Sequence, residues 1–142
     1  MLFQRVNRSD AERVFAIFYN VSGATMTNGY AAEMDSSTLD GVRVSKPATA
    51  TLSLLVGLAA EDVADSAYGK FQLYGYKQSA YVTNDTSQVV LAGSVLVPTN
   101  AQWYLDYSAA SDGKTGLVIA GEAFATNTTP AAANKKVFIR CL

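Results

Sequence analysis

Hydrophobic and polar residues alternate along much of this chain, and helical spacing is scarce. Ala50, Leu52, Leu54 and Val56 alternate with Thr51 and Ser53, the period of a half-buried strand, which should end at Gly57. Val14 to Val21 is crowded with Phe15, Ile17, Phe18 and Tyr19, aromatic and β-branched types that favour a first strand. Lys70 to Tyr76 puts Phe71 and Leu73 on one face and Gln72, Tyr74 and Tyr76 on the other. Trp103, Leu105 and Tyr107 alternate with Tyr104, Asp106 and Ser108. Shorter β-prone runs surround Val42 and Val44 and cover Val89–Leu91, Val95–Val97, Leu117–Ala120 and Val137–Cys141.

Turn signals separate these runs. Ser22-Gly23, Asn28-Gly29, Asp40-Gly41 and Asn84-Asp85-Thr86 mark breaks, and Pro47 belongs at a strand start or edge because proline cannot donate to a ladder. Asp112-Gly113 makes Trp103–Ser108 and Leu117–Ala120 the best hairpin candidate. Helix is confined to single turns: Ser9-Asp10-Ala11-Glu12 has capping-box spacing, and Glu61–Asp65 reads as one turn ended by Gly69. Ala24–Gly29 and Gln88–Gly93 each place a glycine just after a β-prone run, an echo too weak to establish a duplication. The pattern predicts an all-β chain: a compact single-domain β-barrel or β-sandwich over residues 14–142, with residues 1–13 as an extended N-terminal arm. Leu52–Tyr81, dense in aromatics, is the expected hub.

Composition narrows the function. Of 142 residues 49% are hydrophobic and 16% charged, against roughly 25% charged in average soluble proteins, a profile suited to β proteins that pack against other copies. Net charge is −1, and Arg5, Arg8 and Arg13 are interleaved with Asp10 and Glu12, so the basic footprint of a nucleic-acid binder is missing. The lone Cys141 makes no internal disulfide, and the lack of histidine removes His-based triads and metal sites. No apolar signal core opens the chain and no run reaches membrane-spanning length, so a soluble protein made in a cytoplasm is expected. The Asn-x-Ser/Thr triplets at Asn7, Asn20, Asn84 and Asn127 are then chance matches.

Candidate chemistry is sparse. Asp112-Gly113-Lys114-Thr115 resembles the end of a phosphate-binding loop, but Ser108 stands where its first glycine belongs and a strand follows where a helix should. Glu61, Asp62 and Asp65 lack the alternating spacing and turn glycine of a calcium loop, and fit the start of a helical turn better. Twelve acidic residues offer carboxylate pairs for glycosidase chemistry without singling one out, and enzyme function is not expected. The tyrosines could stack bases or sugars, yet only Lys70 and Lys77 flank them, which favours core or subunit packing.

Several short segments carry a family resemblance. Asn20-Val21-Ser22-Gly23-Ala24-Thr25-Met26-Thr27-Asn28-Gly29 resembles the N-V-x-G-A-T-I-T-x-G segment of small structural proteins in tailed-phage heads. Asp40-Gly41-Val42, Val56-Gly57-Leu58-Ala59 and Tyr68-Gly69-Lys70-Phe71-Gln72-Leu73-Tyr74-Gly75 continue in the same order. Ala92-Gly93-Ser94-Val95-Leu96-Val97-Pro98 is similar to a later A-G-x-x-L-x-P turn. Met26 replaces an isoleucine and Ala32 a usual valine, and the arm and last strand lie outside the match.

The resemblance implies a capsid decoration (cement) protein: a β-tulip-like fold, often a homotrimer, on the outer face of a virion shell, with the major capsid protein as partner and no cofactor. A protein that binds only the assembled lattice shifts the equilibrium toward it, and many weak copies add avidity. On this expectation Phe3, Arg5, Arg8 and Arg13 of the arm contact the capsid, and Tyr74 and Tyr76 contact a neighbouring subunit. The rival expectation is a virion-attached β domain that binds host-surface glycans through exposed tyrosines.

Overall fold

The computed structural model describes residues 12–48, 54–84, 89–107, 117–124 and 133–142. Among them every regular element is a strand: β1 (Arg13–Asn20), β2 (Ala31–Met34), β3 (Arg43–Ser45), β4 (Leu55–Ala59), β5 (Tyr68–Val82), β6 (Val95–Pro98), β7 (Leu105–Tyr107), β8 (Val118–Ala120) and β9 (Ala133–Arg140). The chain is all-β, as the alternation predicts.

Hydrogen-bonded neighbours run β1-β3-β2-β4-β5-β7-β6-β8-β9, and β5 pairs additionally with β1 and with β9. Those pairings close the sheet twice. One ring is β1-β3-β2-β4-β5 and the other is β5-β7-β6-β8-β9, so β5, with 15 residues, belongs to both. Closing a sheet on itself removes its exposed edges. Each ring has its own apolar filling. Phe18, Met26, Val44, Val56, Val63 and Phe71 fill the first, where the Phe18 and Phe71 rings meet edge to face at 5.8 Å. Val82, Leu96, Leu105, Val118, Val137 and Ile139 fill the second, joined there by Leu55 and Leu58 of β4.

The two rings have the same connectivity. In each, the first strand runs parallel to the third (β1 with β3, β5 with β7) and every other pairing is antiparallel. The weak sequence echo falls on equivalent places. Met26 and Val90 are fully buried and bridge to Val63 and Phe124. Three residues on, Gly29 and Gly93 take φ of +97° and +94° and donate their N–H groups to the Ala59 and Ala120 carbonyls. Such φ values suit glycine, which has no Cβ to clash. The Lys70 N–H donates to Glu61 Oε1 at 2.8 Å, and the Lys136 N–H to Glu122 Oε1 at 3.0 Å.

Several expectations are overturned. Glu61–Asp65 is not a helical turn: Val63 bridges to Met26, and the flanking carboxylates accept main-chain N–H groups, Glu61 from Lys70, Asp62 from Asn28 and Asp65 from Gly23. The acids therefore tie loops to the first ring. Trp103–Ser108 and Leu117–Ala120 do not form a hairpin, because β6 lies between β7 and β8 and pairs with both. Val89–Leu91 supplies only the Val90 bridge. The strand expected to end at Gly57 runs through it to Ala59, and all five of its residues are buried rather than alternating. Gly69 lies inside β5. The capping box, Ala50–Ser53 and Asp112-Gly113 lie outside the described residues.

Candidate interaction surface

β1 and β5 carry a face the first ring leaves exposed. In register, Tyr19 opposes Tyr68, Ile17 opposes Lys70 and Phe15 opposes Gln72. Side chains two apart on a strand share a face, so Phe15, Ile17 and Tyr19 stand outward while Phe18 and Asn20 point into the ring. Ile17 is 60% exposed, Tyr68 66% and Phe15 41%. The Tyr19 and Tyr68 rings meet at 4.9 Å, and Lys70 Nζ lies 5.5 Å from the Phe15 ring centre, within cation–π range. Exposed apolar side chains grouped on one face make a candidate interaction site.

Beyond Phe15 the face opens into a pocket of about 300 Å³. Arg13, Lys70, Lys77, Asn28, Gln78 and Ser79 contribute to its wall, and no carboxylate lines it among the described residues. Lys77 is only 8% exposed and donates from Nζ to Asn28 Oδ1 at 2.8 Å. Burial, with the nearby Arg13 charge added, pulls its ammonium down from 10.5 to about 8. Since the folded pKa is depressed, protonated Lys77 costs stability below pH about 8, and that cost is relieved as pH rises towards 10.5.

Of the residues singled out from sequence, Arg13 opens β1, is exposed and lies on the pocket wall; Phe3, Arg5 and Arg8 lie outside the described residues. Tyr74 is half-buried, its ring edge-on to Phe138 at 5.3 Å, whereas Tyr76 is 37% exposed. Gln72, assigned to the same face as these tyrosines, is buried, and its Nε2 donates to the Tyr74 and Tyr76 carbonyls. Leu73 is half-buried against the first core, beside the fully buried Phe71.

Sequence reasoning missed Ile17, Tyr68 and Lys77 as surface or pocket residues. The alternation of Phe15, Ile17 and Tyr19 was legible, but its outward sense needed the register with β5.

A second aromatic group spans the two rings. Trp103 stacks on Tyr30 at 5.2 Å, Tyr30 lies 5.2 Å from Tyr81, Tyr81 lies 6.4 Å from Tyr104, and Lys46 Nζ is 5.3 Å from the Trp103 ring. All four rings are half-buried.

Among the described residues no three carboxylate or thiol groups converge to hold a metal ion. Cys141 packs against the second core, and burial pushes its thiol up to about 12 from 9.0. At pH 8 its thiolate should be about a thousandfold scarcer than in the unfolded chain. An aromatic disulfide reagent is therefore expected to react slowly with native protein and fast in denaturant; equal rates would contradict the burial. Compared with protein-family models and with curated proteins, the chain matches none.

Proposed function

We propose that the protein is a structural virion protein that binds the outer face of a tailed-phage capsid and stabilises the shell by bridging major capsid protein subunits. The observation that carries this is the Phe15–Ile17–Tyr19–Tyr68 face, an apolar row with Arg13 and Lys70 beside it. A face of that composition suits a protein surface with apolar contacts and acidic side chains. The arm adds reach, since an extended segment can pair with an exposed strand edge on its partner. The phage-head resemblance supports the same reading. Six of its seven glycines, at positions 23, 29, 41, 57, 75 and 93 but not 69, take positive φ, so they speak to the fold rather than to the contact. The working assembly is a homotrimer.

The test is co-sedimentation with expanded, DNA-free heads of the phage that carries the protein, with solution mass measured in parallel. Ile17→Asp and Tyr68→Asp alter exposed side chains, so folding should survive while head binding falls at least about tenfold. Deletion of residues 1–11 should weaken binding further. Unchanged binding in all three variants would sink the proposal. The second reading, glycan binding at the virion surface, is favoured by the Tyr30–Trp103–Tyr81–Tyr104 group, because aromatic faces stack on sugars. Binding to a glycan array that Trp103→Ala abolishes, without head binding, would select it.

A further inference from the structure

We propose that the pocket formed by Arg13, Lys70 and Lys77 is a binding site for a small oxyanion group, a carboxylate or a phosphate. This does not rest on the capsid reading, since a free anion suffices as ligand.

Three cations converge there from two strands, and none forms an ion pair with a described residue. Glu61 and Asp62, which follow the lining residue Ala60 in the chain, accept the Lys70 and Asn28 main-chain N–H groups and do not line the pocket. The second ring shows the contrast. There Lys136, equivalent to Lys70, has Nζ 4.0 Å from Glu122 Oε2, the equivalent of Glu61. In the first ring the lysine turns away over Phe15 instead. The same structural device is thus neutralised in one ring and left cationic in the other.

The donors suit an oxyanion. Among the described residues the Lys77 ammonium makes one hydrogen bond, to Asn28, leaving two of its three donors for a ligand. Arg13 brings a planar fork that matches two oxygens at once. Gln78 and Ser79 add polar side chains, and Phe15 supplies an apolar wall. Burying an ammonium beside a guanidinium is unfavourable, and an anion placed between them offsets that cost. The volume, about 300 Å³, is at the lower end for small-molecule sites.

The full chain should be titrated separately with inorganic phosphate and with succinate, following the Lys77 side-chain resonance and its protonation by NMR. Saturable shifts are expected, with the Lys77 pKa rising from about 8 back towards 10.5 as the site fills. Affinity should fall as pH rises through about 8, because Lys77 then loses its charge while Arg13 keeps its own. Lys77→Met and Arg13→Gln should each weaken binding at least about tenfold. Should Lys77→Met fail to fold, Arg13→Gln and Lys70→Gln, both exposed, carry the test. Saturation by phosphate alone assigns a tetrahedral ligand, and by succinate alone a carboxylate. No movement of the Lys77 resonance at tens of millimolar of either anion would overturn the site, as would equal binding in the charge variants.

Discussion

A Gly57→Ala variant is expected to lose at least about 3 kcal/mol in urea unfolding, well beyond Gly23→Ala. Gly57 sits mid-strand in β4, and a Cβ there would collide with the Gln72 carbonyl oxygen and sit 3.0 Å from its carbonyl carbon. Both atoms are backbone of β5, the strand both rings share, and Leu58 pairs with Gln72 in the same ladder. Neither strand can yield without disturbing that ladder. Gly23 has φ of +78° and open space around its missing Cβ, so alanine there costs only the left-handed penalty, about 1–2 kcal/mol. Equal losses at the two glycines would show that β4 and β5 are not held so close.

Phe71→Ala is expected to destabilise the protein by about 3–5 kcal/mol and to do so in both rings together. Phe71 is fully buried in the first core, while further along the same strand Ala80 and Val82 belong to the second. Strand β5 cannot leave one ring and remain in register in the other, so the rings should unfold as one unit. The Val44 methyl groups, fully buried in the first core, report one ring, and the Ile139 methyl groups report the other. Coincident urea midpoints are expected from the two probes in wild type and variant. A first-ring probe that melts while Ile139 stays native would contradict the shared strand as the source of cooperativity.

How far the candidate surface was legible follows from distance along the chain. Phe15, Ile17 and Tyr19 form a local pattern, and so do the tyrosines of β5. The pocket does not: Arg13 of β1, Asn28 of the turn before β2, and Lys70 and Lys77 of β5 come from three separated segments, and it takes the β1–β5 ladder together with the main-chain bonds of Gly29 to Ala59 and Tyr81 to bring them within reach of one ligand. Lys70 and Lys77 were read as too few to make a positive groove. Their weight comes from Arg13 joining them and from Lys77 being buried, neither of which local composition encodes. The acidic cluster shows the opposite error. Glu61, Asp62 and Asp65 match a helix start by spacing, yet each found a main-chain N–H across a loop, a long-range bond that no local pattern registers.

By itself the sequence determined that this chain is β-structured and roughly where it turns. Period-two alternation and β-branched or aromatic side chains act within a few residues, and glycines at tight corners such as Gly29 and Gly93 answer a local demand for positive φ. Strand order was decided only in the tertiary structure. Whether β7 pairs with β8 or each flanks β6 depends on which apolar faces can be buried together around one core, and adjacency in sequence does not settle it. The same holds for the double closure around β5. A strand of 15 residues is long enough to serve two cores, and its bulge between Lys77 and Ala80 shifts the register as the strand enters the second. The weak echo between Ala24–Gly29 and Gln88–Gly93 was present in the sequence throughout, but only the repeated ladder and the matched Glu61–Lys70 and Glu122–Lys136 bonds give it meaning.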